Sequence, residues 1–215
     1  MDEFIELDYT GTADGIVFDT TRKQDAPGAK GPFEPVVVKL GIGQLLPGLD
    51  AFLQGKQPGN YEVTLKAEEA FGKKDPKLLK LVPLTAFGKE AKQLEPGMPV
   101  TIGEQHATVK NISGGRVIVD FNHPLAGKTV HYSLQLHGFV TDNKKKVDAV
   151  LKAMLGTSLP VAEEEGKIIV SLPKGFPAEG LVKEIEKHAG VTVTIKEIEL
   201  PKSEHAHEGH EHHSH

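Results

Sequence analysis

The stretch Asp14-Gly15-Ile16-Val17-Phe18-Asp19-Thr20-Thr21 decides the fold of this chain, because the patterns on either side of it define a β-rich domain. On its N-terminal side, apolar and polar residues alternate along residues 5–10, a period of two that is typical of a half-buried strand. The pairs Thr10-Gly11 and Asp14-Gly15 have the composition of turns. The pattern therefore predicts a strand that is interrupted by turns at both pairs.

Three further segments have the pattern of strands. They are the β-branched run 36–40, the alternating segment 61–65, and the clearest alternation in the chain, residues 130–137. Between the first two lies a short helical pattern, in which Leu49, Phe52 and Leu53 share one face. We expect residues 1–77 and 127–141 to form one antiparallel β domain with this single short helix.

The intervening residues 78–126 have strands of their own. Residues 107–112 and 116–121 are rich in β-branched side chains and flank Ser113-Gly114-Gly115, which predicts a hairpin. About 45 residues with this pattern are enough for a small, mostly β domain inserted into a loop of the first.

The composition changes again after residue 141. Residues 142–201 contain two helical stripes, a strand pattern at 167–172 and a further alternation from residue 191, so we expect an α+β domain. The alternation changes parity near Lys196-Glu197, which predicts a bulge or strand break there. Residues 202–215 are polar and rich in histidine, and this composition predicts a disordered tail. The whole chain is thus predicted to be α+β, with three folded parts and a tail.

Composition excludes several functional classes. With 25 basic and 30 acidic residues the formal net charge is −5, and no basic stripe suggests a nucleic-acid partner. The chain has no cysteine, which excludes disulfides and thiolate metal sites and fits a reducing compartment. No apolar run approaches the ~20 residues of a spanning helix, and the acidic N-terminus differs from a signal peptide. We expect no membrane association and a cytoplasmic location.

Several motifs together resemble the FK506-binding-protein (FKBP) family of peptidyl-prolyl isomerases. In order and approximate spacing they are Tyr9-Thr10-Gly11, the stretch 14–21, Leu40-Gly41, Leu45-Leu46-Pro47-Gly48-Leu49 and Ala70-Phe71-Gly72. The insertion closes with Asn122-His123-Pro124-Leu125-Ala126-Gly127, which is similar to the SlyD branch, whose flap carries a chaperone domain. The last domain looks like that of the longer archaeal members. The resemblance implies an enzyme that isomerises X-Pro bonds without a cofactor.

Carried over residue by residue, the resemblance implies an apolar proline pocket. Its catalytic set would be Tyr9, Phe18, Asp19, Phe71 and Tyr132, and its substrate-binding set Val36, Leu45, Leu46 and Leu49. Leu49 occupies the pocket floor, where the family often has tryptophan. Phe71 stands where the family commonly has tyrosine, so a hydrogen bond from that hydroxyl to a bound carbonyl is lost.

The insertion is the second site that the resemblance implies. Its apolar residues would bind unfolded or proline-containing polypeptides and give chaperone activity: Leu79, Leu81, Val82, Leu84, Phe87 and Met98. The alternative is that they only form the small core of the insertion. A holdase with a vestigial proline pocket is the corresponding alternative for the whole protein.

The tail suggests a metal site. Six histidines could meet one Ni or Zn ion in several combinations: His205, His207, His210, His212, His213 and His215. A purification tag is the alternative, although acidic and small residues interrupt the run. A metal carrier is thus a further alternative function.

The amphipathic helices and last strand of the third domain suggest a homodimer.

Overall fold

The computed structural model describes residues 3–199. The chain divides into two compact units, with the boundary between Phe139 and Val140. Both units mix helices with sheets, so the fold class is α+β as expected. The predicted tail and its six histidines lie outside the described residues.

The described elements follow one another in this order. The strands and α-helices are β1 (Phe4–Ala13), β2 (Ile16–Thr20), β3 (Val36–Lys39), α1 (Pro47–Leu53), β4 (Gly59–Leu65), β5 (Leu79–Pro83), β6 (Pro99–Ile102), β7 (Gln105–Ser113), β8 (Arg116–Asp120), β9 (Val130–Phe139), α2 (Asn143–Leu155), β10 (Val161–Glu164), β11 (Lys167–Pro173), α3 (Ala178–Ala189) and β12 (Val193–Ile198). Short 3₁₀ segments lie at Lys23–Asp25, Ala67–Glu69, Pro76–Leu78 and Leu84–Lys92.

The first sheet has the order β2-β1-β9-β4, and β3 also pairs with β1. Every pairing in it is antiparallel. The side chains that alternate in the sequence supply the core, for example Leu7 on β1 and Leu134 on β9, which are 0% and 1% exposed. Helix α1 adds Leu49 and Leu53 to this core, so the short helix predicted from the sequence is confirmed.

The turn predicted at Thr10-Gly11 is wrong, because β1 continues through both residues to Ala13. Gly11 is required for packing rather than for turning. A Cβ atom built on it would lie 2.7 Å from Cζ of Phe18 and 2.8 Å from Cε1 of Tyr132, closer than real Cβ contacts. The turn at Asp14-Gly15 is confirmed, with φ of 52° and 77°, and it joins β1 to β2 as a hairpin.

The insertion has its own antiparallel sheet, of order β5-β8-β7-β6. Gly114 and Gly115 adopt φ of 56° and 74° between β7 and β8, so the predicted hairpin is confirmed. Ala107, Val109, Val117 and Val119 form the buried core on one face of the sheet.

The second unit contains the three-stranded sheet β10-β11-β12 together with α2 and α3. Strand β12 pairs in parallel with β11 without interruption or shift of register from Val193 to Ile198, so the bulge or break predicted near Lys196-Glu197 is wrong. The main-chain pairing of β12 with β11 continues, although the apolar side chains of β12 shift from odd-numbered to even-numbered positions. Both helices end in a left-handed glycine, Gly156 and Gly190.

Within residues 3–199, no helix is both long and apolar enough to cross a membrane.

Candidate functional site

A cavity of about 710 Å³ opens on one face of the first sheet. Strands β1, β2 and β9, the segment leading into α1, the segment around Phe71 and the chain returning from the insertion all contribute to its walls. The lining residues are Leu7, Tyr9, Phe18, Asp19, Gly43, Gln44, Leu45, Leu46, Pro47, Leu49, Phe71, His123, Pro124, Leu125 and Tyr132. The cavity is therefore assembled from segments that are far apart in the sequence.

Aromatic rings form the walls of this cavity. The Phe18 ring meets Phe71 and Tyr132 edge to face, with centroid separations of 5.6 and 5.8 Å, and Tyr9 lies 6.0 Å from Tyr132. These separations fall in the range of favourable aromatic pairs. Gly11 makes the arrangement possible, because its missing Cβ leaves room for the Phe18 and Tyr132 rings.

The polar edge of the cavity consists of Tyr9 and Asp19. The Tyr9 hydroxyl donates a hydrogen bond to Oδ2 of Asp19 at 2.8 Å. Burial, that hydrogen bond and the carboxylate charge all raise the pKa of Tyr9, and burial together with the charge of Asp19 raises the pKa of Tyr132 to about 12. Both phenols are thus neutral at physiological pH and do not act as bases.

The aliphatic residues expected in the pocket divide into two groups. Leu45, Leu46 and Leu49 line the cavity, and Leu49 is only 3% exposed. Val36 is not a lining residue. It lies on β3 opposite Leu7 and packs against the core of the sheet.

The sequence reasoning missed seven lining residues, of which three are consecutive and come from beyond the inserted sheet: His123, Pro124 and Leu125. They belong to the return segment, residues 122–127, which the pattern assigned to the insertion. The His123 ring lies flat against the Phe71 ring, with a centroid separation of 4.6 Å and an interplanar angle of 2°. Only the motif Asn122-to-Gly127 could have signalled this position, since neither periodicity nor spacing places a loop against a ring 52 residues earlier.

Hydrogen bonds join the two chain segments that connect the insertion to the first sheet. Asp75 N–H donates to Oδ1 of Asn122 at 2.8 Å, and Nδ2 of Asn122 donates to the Asp75 carbonyl at 3.1 Å. The Asn122 main-chain N–H and its Nδ2 also donate to Oδ1 of Asp120, at 2.9 and 2.7 Å. We call Asp75, Asp120 and Asn122 the linker clamp.

Charged groups support the clamp. Lys110 and Lys74 approach Oδ2 of Asp120 at 3.6 and 3.9 Å. Burial favours the neutral form of Asp120, but the Asn122 hydrogen bonds and the two lysine charges outweigh it and lower the pKa of this carboxyl. Asp120 is only 4% exposed and therefore acts as a buried, ionised acceptor.

The apolar residues predicted to bind clients lie on two faces of the insertion. Val82, Leu84 and Phe87 are half-buried against its core, as the alternative interpretation expected. Leu79 and Leu81 are 46% and 58% exposed on the opposite face of β5, and Leu81 pairs with Ile118, itself 36% exposed. We call Leu79, Leu81 and Ile118 the outer face. Met98 is 39% exposed just before β6.

No cluster of three or more histidine, aspartate and glutamate side chains within residues 3–199 could hold a metal ion. The described histidines have other contacts: His137 Nε2 lies 2.8 Å from Oδ2 of Asp8, and His131 Nδ1 lies 2.8 Å from the Thr64 hydroxyl. The predicted metal ligands of the tail lie outside the described residues.

Comparison with known proteins agrees with this geometry. The family model for FKBP-type peptidyl-prolyl cis-trans isomerase matches residues 1–90, and the model for the FKBP26 IF domain matches residues 80–125. The second match coincides with the inserted sheet.

Curated relatives are named as peptidyl-prolyl cis-trans isomerases. A short-type peptidyl-prolyl cis-trans isomerase of Methanocaldococcus jannaschii is 26% identical over 140 residues, which cover 62% of this chain and 89% of that protein. SlyD of Helicobacter pylori is 38% identical over 112 residues, 49% of this chain and 60% of that protein. A probable FKBP-type 16 kDa isomerase of Pseudomonas fluorescens is 33% identical over 108 residues, 47% of this chain and 71% of that protein. The chain belongs to the FKBP-type peptidyl-prolyl cis-trans isomerases and is a SlyD-like enzyme.

Proposed function

We propose that the aromatic cavity of the first sheet is the site of X-Pro isomerisation. The observation that carries the proposal is the enclosure of one cavity by Tyr9, Phe18, Phe71 and Tyr132 above an aliphatic floor. Its apolar lining and its size suit a prolyl ring with part of the preceding residue.

The reaction needs a particular environment more than it needs a reactive group. Rotation about an X-Pro bond has a barrier of about 20 kcal/mol because the planar amide loses its resonance, and no covalent bond breaks. The twisted amide has less charge separation than the planar one, so an apolar wall favours it over the ground state. The two neutral phenols fit this mechanism, since neither has to accept a proton. Asp19 orients Tyr9 and through it the rim of the cavity.

A pair of matched substitutions tests the site. Phe18→Leu removes two edge-to-face contacts of the cavity. We expect it to lower kcat/KM for a proline tetrapeptide about tenfold, since each aromatic pair contributes about 0.5–1.5 kcal/mol. Phe52→Leu is the control, because Phe52 packs edge to face on Tyr61 outside the cavity. Equal activity of both variants in a protease-coupled assay would show that isomerisation occurs elsewhere.

We propose that the outer face captures unfolded polypeptide. Three apolar side chains are exposed on adjacent antiparallel strands of a small domain whose inner face already supplies its core. An extended client could cover them, at a gain of about 1.5–3 kcal/mol for each fully buried side chain. The proline cavity would then act on a client that the insertion holds nearby.

Surface substitutions separate capture from isomerisation. The double variant Leu81→Thr/Ile118→Thr keeps β-branched character on exposed strands but removes apolar area. We expect at least about tenfold weaker binding of a carboxymethylated, unfolded client and unchanged turnover of a tetrapeptide. Met154→Ala removes an exposed apolar side chain from the second unit and is the control. Unchanged capture by the double variant would contradict the proposal.

The position of the return segment limits how the insertion may be deleted. A deletion that extends to residue 125 also removes His123, Pro124 and Leu125 from the cavity wall. Removing residues 79–119 keeps both the return segment and Asp120, the buried acceptor of Asn122, and is therefore the variant that tests the insertion alone. If the protein is a pure holdase with a vestigial pocket, the parent protein will show no turnover of the peptide. Phe18→Leu would then have no turnover to lose.

Nickel or zinc binding by the tail is a separate proposal that rests on the composition of residues 203–215. Neutral imidazoles suit both ions. Truncation after Lys202 should abolish high-affinity metal uptake measured by calorimetry and leave isomerisation unchanged.

Dimerisation through the second unit is likewise a proposal, and a monomeric mass by light scattering would contradict it.

A further inference from the structure

His123 covers one side of the proline cavity although it comes from the far end of the insertion. Its ring is parallel to that of Phe71, within 2° and at a centroid separation of 4.6 Å. His123 is itself largely exposed, so it shields one face of Phe71 from water. Phe71 in turn makes an edge-to-face contact with Phe18 in the cavity wall.

Phe71 needs support of this kind because it lies outside every strand and α-helix. It follows the 3₁₀ segment Ala67–Glu69 and precedes Gly72, whose φ is 77°. Main-chain hydrogen bonds hold its neighbour Gly72, from Gly72 N–H to the Ala67 carbonyl at 2.7 Å and from Gly127 N–H to the Gly72 carbonyl at 2.8 Å. The orientation of the ring itself depends on what packs against its two sides.

Hydrogen bonds to the residues that precede and follow His123 in the sequence fix its position. Its Nδ1 accepts a hydrogen bond from the Leu125 main-chain N–H at 3.2 Å, which sets the ring orientation. The preceding residue, Asn122, belongs to the linker clamp and is bonded to both Asp75 and Asp120. The return segment is thus anchored where the insertion joins the first sheet, and it presents a flat ring to Phe71.

We propose that His123 is a positioning residue for isomerisation: its stacked ring holds Phe71 in place as the wall of the proline cavity. The inference rests on the proposed function of that cavity. A loose Phe71 has to be ordered each time a substrate binds, in the ground state and the transition state alike. Loss of the stack should therefore raise KM and leave kcat nearly unchanged.

Two variants separate the ring from the hydrogen bond. His123→Phe keeps a flat ring but loses Nδ1, whereas His123→Asn keeps a short acceptor for the Leu125 N–H but loses the ring. We expect His123→Asn to raise KM for a proline tetrapeptide about three- to tenfold and His123→Phe to remain within about twofold of the parent. Thermal unfolding of each variant verifies that the protein is folded. If His123→Phe is as impaired as His123→Asn, the turn contact carries the effect and the proposal is wrong.

A double-mutant cycle tests whether His123 acts through Phe71. In a Phe71→Leu background, His123→Asn should change KM by less than about twofold, because the ring that it supports is gone. An unchanged three- to tenfold effect in that background would overturn the proposal.

The same cycle distinguishes the two proposals from each other. If Phe71→Leu is impaired and His123→Asn is not, the cavity remains the active site and the role of His123 is refuted. If Phe71→Leu and Phe18→Leu both turn over the peptide at the parental rate, the site of isomerisation itself is wrongly placed.

Discussion

The cavity and the outer face of the insertion present apolar side chains in opposite ways. In the cavity, aromatic rings pack on one another and on a buried floor, so their positions are determined by the fold. On the outer face, Leu79 and Leu81 project from a strand into solvent, and their cross-strand neighbours are their main contacts. An enclosed, fixed wall selects one ring shape, whereas an open surface accepts many sequences. We infer that one chain separates selective recognition of polypeptide in the cavity from permissive recognition on the outer face.

The largest effect on peptide turnover is expected from adding a methyl group at Gly11, beside the rings of the cavity. A methyl group there would meet Phe18 and Tyr132 at 2.7 and 2.8 Å, so both rings must move. We expect Gly11→Ala to lower peptide turnover by more than about tenfold, since overpacking costs about 1–3 kcal/mol. Capture of an unfolded client should not change.

Gly180→Ala is the matched control for this substitution. A Cβ atom on Gly180 meets nothing within 4 Å, and the residue lies inside α3. It should therefore raise the free energy of unfolding of its unit by about 0.5–1 kcal/mol and leave turnover unchanged. Equal activities of the two alanine variants would show that the cavity tolerates displaced rings.

The linker clamp connects the two regions, and Asp120→Ala breaks it. The substitution leaves the donors of Asn122 without their buried acceptor. We expect a loss of about 1–3 kcal/mol in the free energy of unfolding, measured by denaturant titration. Asp148→Ala, which removes a partly exposed ion pair with Lys152 on α2, should cost less than about 0.5 kcal/mol. Similar losses in both variants would argue against a clamp.

A smaller effect is expected at Asp8, on the first sheet. Burial works against the charge of Asp8, but hydrogen bonds from Thr21 and His137 and the charges of His137 and Arg22 lower its pKa below the ordinary value of 3.8. A carboxyl whose folded pKa is lowered stabilises the protein above its unfolded pKa, and that contribution is lost as the pH falls through the folded pKa. The free energy of unfolding should therefore decline below about pH 4. Asp8→Asn should show a shallower decline, and an identical pH profile would refute this assignment.

The smallest effect should come from Tyr9→Phe, which removes the hydrogen bond to Asp19 but keeps the ring of the cavity wall. Because Asp19 is exposed, water replaces the lost donor. We expect kcat/KM to fall by less than about fivefold, well below the loss in Phe18→Leu. A loss as large as that of Phe18→Leu would mean that the polar rim contributes as much as the aromatic wall.

Local patterns were sufficient wherever one side of an element faces the core. The alternation along β1 and β9, the stripe on α1 and the Gly114-Gly115 hairpin were all predicted from residues two to four positions apart. The same reasoning failed at Gly11, because a glycine that makes room for two distant rings looks locally like a glycine that makes a turn. It also failed at Lys196-Glu197, where main-chain pairing with β11 continues regardless of side-chain parity.

The sequence by itself determined the class of fold, the family and most of the cavity residues, since periodicity and motif order are properties of short segments. Only the tertiary structure decided which apolar residues of the insertion are core and which are surface, because that depends on which face of the inserted sheet carries the cluster around Val109 and Val119. It alone placed His123 on Phe71 and Val36 away from the cavity. Contacts between segments far apart in the chain follow from the packing of the whole unit, and no local pattern encodes them.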